Sequence, residues 1–106
     1  MNFENKKILI TGASGGIGKS LIRKFHDLGG SILATGTKIE KLEALKNEFK
    51  KIKIKPFKLD NHSEIEKFVE ESFQELKGID ILVNNAGITL DNISLRLTEE
   101  NWKKVL

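Results

Sequence analysis

The sequence predicts an α/β fold in which helices cover both faces of a parallel sheet, and three observations indicate it. Short apolar segments of strand length alternate with amphipathic segments of helical period. A glycine-rich turn joins the first strand to the first helix, and glycines follow the first and third predicted helices. The resulting βαβαβαβ order requires right-handed crossovers and therefore a parallel sheet.

Four strands follow from this alternation. They are predicted at residues 7–11, 31–35, 52–59 and 80–84. Pro56 lies within the third segment, and proline cannot donate a hydrogen bond to a ladder. The third strand is therefore expected at an edge of the sheet.

Amphipathic segments separate the strands. The first covers residues 16–28 and is closed by a glycine pair, and Gly78 ends the third. The second and third are predicted to begin with capping boxes, and a further helix begins near the end of the sequence. The capping residues are Thr37 with Glu40, Ser63 with Glu66, and Thr98. The predicted core-facing residues are Ile39, Leu42, Leu45 and Phe49 on the second helix, and Ile65, Phe68, Val69, Ser72 and Leu76 on the third.

Composition is that of one soluble domain, residues 1–106, in which 39% of the residues are apolar and 31% charged. The absence of cysteine excludes disulfides and thiolate metal sites. No run of about 18 apolar residues is present, so we expect no membrane association. The start of the chain lacks the apolar segment of a signal peptide, and a cytoplasmic location is expected.

The net charge of +3 is unevenly distributed. Residues 1–58 carry 13 Lys and Arg against 5 Asp and Glu, whereas the remainder is acidic. The lysines of residues 50–55 alternate with apolar residues, as in a strand, and no aromatic residues alternate with them for base stacking. A solvated lysine surface is therefore favoured over nucleic-acid binding.

The turn after the first strand is an expected anion site, because backbone N–H groups and a helix N-terminus point toward whatever binds there. It reads Thr11-Gly12-Ala13-Ser14-Gly15-Gly16-Ile17-Gly18-Lys19-Ser20. The pattern nearly matches a P-loop for ATP or GTP, in which Lys19 would contact phosphates and Ser20 would hold magnesium. The strict dinucleotide pattern G-x-G-x-x-G is also absent, so the loop alone leaves both ligands open.

The end of the fourth strand favours a dinucleotide. It reads Asn84-Asn85-Ala86-Gly87, with no carboxylate to position magnesium, and Asp80 precedes the strand. Ligands of open α/β sheets bind beyond the carboxyl ends of the strands. Amides at that place suit a ribose and an amide-bearing ligand better than a magnesium triphosphate.

These two motifs together resemble the short-chain dehydrogenase/reductase family, over the whole chain. The run from Asp80 to Asn92, with Arg96 and Trp102 beyond it, is similar to 3-oxoacyl-[acyl-carrier-protein] reductases. The resemblance implies a Rossmann-type sheet of order 3-2-1-4, truncated after the fourth strand and the start of the next helix. It also implies reduction of 3-oxoacyl thioesters on acyl carrier protein in fatty acid biosynthesis, by an enzyme that forms homo-tetramers.

The resemblance also implies a set of cofactor contacts. The phosphate side would be lined by Gly12, Ser14, Gly15, Gly16, Ile17 and Gly18, the adenine by Asp60 and Asn61, and the ribose side by Asn85, Ala86, Gly87 and Ile88. An NAD enzyme carries an acid about 20 residues after the loop. Here the sequence reads Thr35-Gly36-Thr37-Lys38, which favours NADP, with Thr37 at the 2′-phosphate.

The catalytic residues that the family implies are an Asn-Ser-Tyr-Lys set, and the sequence contains no tyrosine. They are expected beyond Leu106, and His26 and His62 are interpreted as solvated side chains. The chain is therefore predicted to be the N-terminal, cofactor-binding half of a reductase. The alternatives are an inactive nucleotide-binding fragment, a P-loop-like ATP or GTP-binding protein, and a short-chain reductase of another substrate.

Overall fold

A computed structural model describes residues 3–57 and 62–84 of the chain. Its strands are β1 (Lys7–Thr11), β2 (Ser31–Gly36), β3 (Lys53–Pro56) and β4 (Ile81–Asn84), and its helices are α1 (Gly16–Asp27), α2 (Ile39–Glu48) and α3 (His62–Leu76). Strands and helices alternate, as predicted. The helix predicted from Thr98 lies outside the described residues.

The four strands form one parallel sheet of order β3-β2-β1-β4, which confirms the predicted order. In the centre of the sheet, Ile8 of β1 lies opposite Ile32 of β2 and Ile81 of β4. Pro56 lies in β3 at the edge, as predicted from its missing donor. The strand β3 ends there, three residues earlier than the sequence indicated, and the Phe57 N–H still donates to the Gly36 oxygen at 2.9 Å.

Helices cover both faces of the sheet because successive side chains of each strand point to opposite sides. Ile8 and Ile10 of β1 belong to a core shared with α1 and α2, whereas Leu9 belongs to a second core shared with α3. All three are at most 1% exposed. Full burial of such a side chain contributes about 1.5–3 kcal/mol, so the two cores hold the sheet and its helices together.

Both α1 and α3 end in the same backbone motif. After α1, the Gly29 N–H donates to the His26 oxygen and the Gly30 N–H to the Phe25 oxygen, while Gly29 takes a φ of 92°. This is the Schellman arrangement, which favours glycine at the left-handed position. After α3 the left-handed residue is Lys77, with a φ of 63°, one residue before the predicted stop. Gly78, predicted to end α3, also has a positive φ, of 130°, and its N–H donates to the Phe73 oxygen at 2.8 Å.

The capping box predicted for α2 is wrong. The cap of α2 is Lys38, not Thr37, and it makes no side-chain cap bond. The strand β2 continues to Gly36, so only two residues connect it to the helix. The helix α3 begins at His62, which places Ser63 inside it.

One side chain of α2 and one of α1 also differ from expectation. Ile39 is 39% exposed, whereas the residues predicted to share its stripe are buried. His26, interpreted as solvated, is half-buried with its ring centroid 5.3 Å from that of Phe49. The stripe predicted for α3 is buried throughout, including the Ser72 hydroxyl, which donates to the Phe68 oxygen at 2.8 Å.

Two buried threonines give a stability test. The Thr11 hydroxyl donates to the Val83 oxygen at 3.3 Å, whereas the Thr35 hydroxyl has no partner among the described residues. Removing a buried hydroxyl that is hydrogen-bonded costs about 1 kcal/mol, and removing an unsatisfied one is neutral or stabilising. We therefore expect Thr11→Val to lower the free energy of unfolding in urea and Thr35→Val to leave it unchanged or raise it. Equal losses in both variants would contradict this assignment.

Candidate functional site

The glycine loop lies at the carboxyl edge of the sheet, between the end of β1 and the start of α1. On one side of β1 lies β2, which follows it in the chain, and on the other side lies β4. The direction in which strands are added therefore reverses beside this loop. Open α/β sheets bind their ligands at such a point.

The loop is held in place by backbone contacts. Gly12 takes a φ of 63°, in the left-handed region, and the Ala13 N–H donates to the Thr35 oxygen of β2 at 2.9 Å. A Cβ on Gly18 would lie 2.6 Å from the Ala13 Cα, so α1 packs directly on the loop backbone. Gly12 and Gly18 are therefore required by the shape of the loop itself.

Gly15 and Gly16 serve a different purpose, because a Cβ on either would meet nothing within 4 Å. Gly15 caps α1 in an extended conformation without a side-chain bond. The Lys19 N–H donates to the Gly15 oxygen at 3.0 Å, which is the first hydrogen bond of the helix. The N–H groups of the helical residues before Lys19 therefore have no acceptor within α1. Two glycines in open space beside these donors leave room for a phosphate to approach the backbone.

The electrostatics of this helix start also suit an anion. The first turn of α1 contains no acidic residue that would offset the positive end of the helix dipole. Ile17, in the same turn, is 70% exposed and adds an apolar surface beside the donors. The described part of the loop thus fits the pyrophosphate of a dinucleotide, with an apolar contact next to it.

A groove of about 250 Å³ extends from the loop toward α2. Its lining residues are Ser14, Gly15 and Gly16 of the loop and helix start, Lys19 of α1, and Lys41, Ala44, Leu45 and Glu48 of α2. The Lys19 Nζ lies 3.0 Å from one oxygen of Glu48, and the Arg23 guanidinium lies 2.9 Å from the other. One carboxylate of α2 therefore binds two cations of α1 at the wall of the groove.

These contacts change the acidity of Glu48. Hydrogen bonds from Lys19 and then from Arg23 lower the pKa of its carboxyl, because both stabilise the charged form. The three side chains are about half exposed, so solvent weakens the attraction. The contacts keep Glu48 ionised and hold Lys19 at a defined place.

The structure brings together the loop residues predicted from the sequence: Gly12, Ser14, Gly15, Gly16, Ile17 and Gly18. Thr37 lies directly after Gly36, the last residue of β2. Gly36 lies close to the loop, because a Cβ on Gly36 would lie 3.1 Å from the Ser14 hydroxyl. The other predicted contacts lie outside the described residues: Asp60, Asn61, Asn85, Ala86, Gly87 and Ile88.

Sequence reasoning did not identify Lys41 and Glu48 as groove residues. The spacing of Lys41, Ala44, Leu45 and Glu48 places them along one face of a helix, which was a usable signal. Which face of α2 would lie beside the loop is set by tertiary packing, so the pattern alone did not point to the site.

Within residues 3–57 and 62–84, no group of three or more metal-binding side chains occurs. The helices of this part of the chain also include none that is long and apolar enough to cross a membrane. The features that stand out are the glycine loop, the helix start and the lysine-bearing groove. A parallel sheet of this order with this loop at its point of reversal defines a Rossmann-type nucleotide-binding domain.

The chain belongs to the short chain dehydrogenase family, whose model matches residues 6–106. It is 42% identical over 102 residues to Nodulation protein G of Rhizobium sp. (strain N33), covering 95% of this chain and 42% of that protein. It is 38% identical over 107 residues to the 3-oxoacyl-[acyl-carrier-protein] reductase FabG of Rickettsia bellii (strain RML369-C), covering 100% of this chain and 43% of that protein. The chain thus spans less than half the length of these relatives.

A solved structure supports the same assignment. A metagenomic short-chain oxidoreductase in complex with NADP matches 81% of this chain and 41% of its own chain, at 30% identity and a TM-score of 0.75. Membership of the short chain dehydrogenase family favours the dinucleotide interpretation of the loop over the P-loop interpretation. The ion pair of Lys19 with Glu48 agrees with that choice, because the P-loop interpretation needs this lysine at phosphates.

The two kinds of glycine give contrasting stability predictions. Gly18→Ala forces a methyl group onto the Ala13 backbone, and such overpacking costs about 1–3 kcal/mol. Gly16→Ala meets open space and improves a helical position, so the free energy of unfolding stays the same or rises by up to about 1 kcal/mol. Urea titrations of both variants check this, and a larger loss for Gly16→Ala would overturn the distinction.

The lowered pKa of Glu48 gives a pH test. The ionised Glu48 carboxylate stabilises the folded chain at pH values above the ordinary carboxyl pKa of 4.5. This stabilisation is lost as the pH falls through the lower pKa that Glu48 has in the folded chain. We expect Glu48→Gln to lower the free energy of unfolding at pH 7, and the difference from wild type to shrink by pH 3.

The matched control for that test is Glu43→Gln, which removes an exposed acid of the same helix that has no ion pair among the described residues. Its effect should vary less with pH. High salt should also reduce the effect of Glu48→Gln at neutral pH. A difference for Glu48→Gln that grows on acidification would contradict the assigned ion pairs.

Proposed function

We propose that this chain binds NADP(H) and forms the cofactor-binding part of a reductase that acts on 3-oxoacyl thioesters of acyl carrier protein. The observation that carries the proposal is the open backbone surface of Gly15 and Gly16 at the start of α1, in a chain of the short chain dehydrogenase family. When bound, the dihydronicotinamide supplies the hydride. The residues of this chain bind and orient the cofactor.

The choice of NADP rests on the residues that follow β2. The segment from Thr35 to Lys38 contains no acid that would accept a hydrogen bond from a ribose 2′-hydroxyl. It ends at the N-terminus of α2, whose cap is Lys38, and Thr37 offers a hydroxyl. A cation at a helix N-terminus favours a 2′-phosphate. The complex of one solved relative with NADP supports the same choice.

The substrate class rests on relatives. One is a 3-oxoacyl-[acyl-carrier-protein] reductase at 38% identity, and another, at 42%, is Nodulation protein G, so a different carbonyl substrate is the competing proposal. A carbonyl reductase also needs a proton donor, and these 106 residues contain no tyrosine to serve as one. Catalytic residues outside this chain, a homo-oligomer, and a cytoplasmic location belong to the same proposal.

The test begins with binding. Titration of the protein with NADPH, NADH and magnesium ATP should show saturable binding of NADPH, tighter than that of the other two. Gly16→Val should weaken NADPH binding at least about tenfold, which is about 1.4 kcal/mol, because its side chain occupies the surface that the phosphates need. Asn47→Val, at an exposed position of α2 outside the groove, is the control and should bind as wild type does.

Activity is measured as NADPH oxidation with a 3-oxoacyl thioester of acyl carrier protein, in the protein supplemented with the remainder of its reductase if this chain alone is inactive. Turnover with a simple ketone but not with the thioester would favour the competing substrate class. Binding of magnesium ATP that is lost in Lys19→Ala, with no binding of NADPH, would overturn the proposal in favour of the P-loop alternative.

A further inference from the structure

We propose that the amino edge of the sheet carries a second anion site, which binds a small oxyanion with two or more negative charges. The site is a groove of about 240 Å³ at the edge opposite the glycine loop. We call it the amino-edge groove, and its lining includes Lys7, Ser31, Lys51, Lys53, Glu75 and Lys77. It has no lining residue in common with the groove beside the glycine loop, so this site is separate from the proposed cofactor site.

The amino-edge groove crosses the starts of three neighbouring strands. Lys7, Ser31 and Lys53 are the first residues of β1, β2 and β3. Lys7 and Ser31 lie opposite each other in the sheet, and the Ser31 N–H donates to the Lys6 oxygen at 2.8 Å. The Lys7 N–H donates to a carboxylate oxygen of Asp80, also at 2.8 Å. The backbone beneath the groove is therefore ordered before any ligand binds, which lowers the entropy cost of binding.

The amino-edge groove has an excess of positive charge. Among the residues that the structure describes, four lysines line it against one carboxylate, that of Glu75. This carboxylate lies 3.9 Å from the Nζ of Lys55, which is outside the groove, so part of its charge is compensated there. Lys51 and Lys77 are exposed and form no ion pair with a described carboxylate. An anion that enters the groove therefore meets cations whose charge is not already compensated.

Lysines near the end of a helix also have a purely structural role, because they compensate the negative end of the helix dipole. That role accounts for Lys53, whose Nζ donates to the Glu75 backbone oxygen at 2.8 Å in the last turn of α3. The same turn is closed by the Gly78 N–H, which donates to the Phe73 oxygen at 2.8 Å. Lys51 lies beyond the last turn of α2, in the connection to β3. Neither helix dipole therefore explains its place in the groove.

Lys77 occupies a backbone position that favours glycine. Its φ is 63°, in the left-handed region, and the corresponding position after α1 is Gly29. A lysine in this conformation is less stable than a glycine, because its Cβ crowds the backbone. Residues held in such conformations cluster at functional sites. A cation that contributes to an anion site explains why this position carries lysine.

The size of the amino-edge groove indicates the class of ligand. Its volume of about 240 Å³ is below the roughly 300–1,000 Å³ of sites that enclose drug-sized ligands, so a small anion fits and a whole dinucleotide does not. Ammonium groups bind phosphate and carboxylate oxygens as point charges, and the Ser31 hydroxyl adds a further donor. The shared chemistry is thus a compact group of several anionic oxygens. Pyrophosphate and citrate are suitable probes of its two sources.

The experiment titrates the protein with pyrophosphate and, separately, with citrate, and follows the backbone amides by ¹H–¹⁵N NMR spectroscopy. The amides of Ser31, Lys51 and Lys77 should shift in a saturable manner with at least one probe, and the tighter probe identifies the preferred oxyanion. The glycine loop is a second place where pyrophosphate can bind, and the amides of Gly15 and Gly16 report it in the same spectra. Shifts confined to the loop, or no saturable shift with either probe, overturn the inference.

Two variants each remove one cation of the amino-edge groove. Lys77→Gly should weaken binding there about tenfold, which corresponds to the loss of one charge-assisted hydrogen bond. Its midpoint of urea denaturation should stay the same or rise, because glycine suits the left-handed backbone. Lys51→Ala should weaken binding by a similar factor. Unchanged affinity in both variants would show that these lysines do not form a site.

The matched control is Lys24→Ala, which removes an exposed lysine of α1 outside the amino-edge groove. It should change the affinity less than about twofold. A loss in Lys24→Ala equal to that in the groove variants would indicate attraction by net charge alone and would overturn the inference. Because the two sites share no residue, failure of NADPH to bind refutes the proposed function alone, and failure of both probes at this groove refutes this inference alone.

Discussion

The close contact between α1 and the loop that precedes it is the constraint on which the rest of the site depends. Because Gly18 has no side chain, the helix lies against the Ala13 backbone, and Ala13 is itself hydrogen-bonded to Thr35 of β2. The loop is thus fixed between a helix and a central strand. A glycine loop that is held on both sides presents its N–H groups without further ordering, and binding then loses less conformational entropy.

The groove beside the loop adds charge to this geometry. Its backbone part derives from the start of α1, and its side-chain part derives from α2, so the two helices of one face form the site together. They are joined by a shared core and by the contacts of Glu48 with Lys19 and Arg23. Since these contacts are exposed, they contribute little to stability, and they hold the Lys19 side chain at the wall of the groove.

Sequence patterns predicted the fold and the loop because both depend on local features. The period of the apolar residues and the glycines around Gly16 are visible without any partner, and they located β1 and α1 to within a residue. Thr37 was wrongly predicted as the cap of α2, which is Lys38, because β2 extends to Gly36. The length of β2 is set by its pairing with β3 rather than by the local sequence. The Lys19–Glu48 pair joins residues of two different helices, and no periodicity marks such a contact.

The two edges of the sheet differ in how their backbone groups are satisfied. At the amino edge, the Asp80 N–H donates to the Lys7 oxygen and its carboxylate accepts from the Lys7 N–H, both at 2.8 Å. The helices α1 and α3, which end there, close their last turns with backbone bonds from Gly30 and Gly78. At the carboxyl edge, α1 begins with glycines and no side-chain cap. The hydrogen bonds at the amino edge satisfy backbone groups within the chain and so stabilise the fold. The N–H groups at the start of α1, at the carboxyl edge, have no side-chain cap and are available to a ligand. Because the strands are parallel, the backbone contacts that stabilise the fold and the backbone groups that can bind a ligand lie at opposite edges of the sheet.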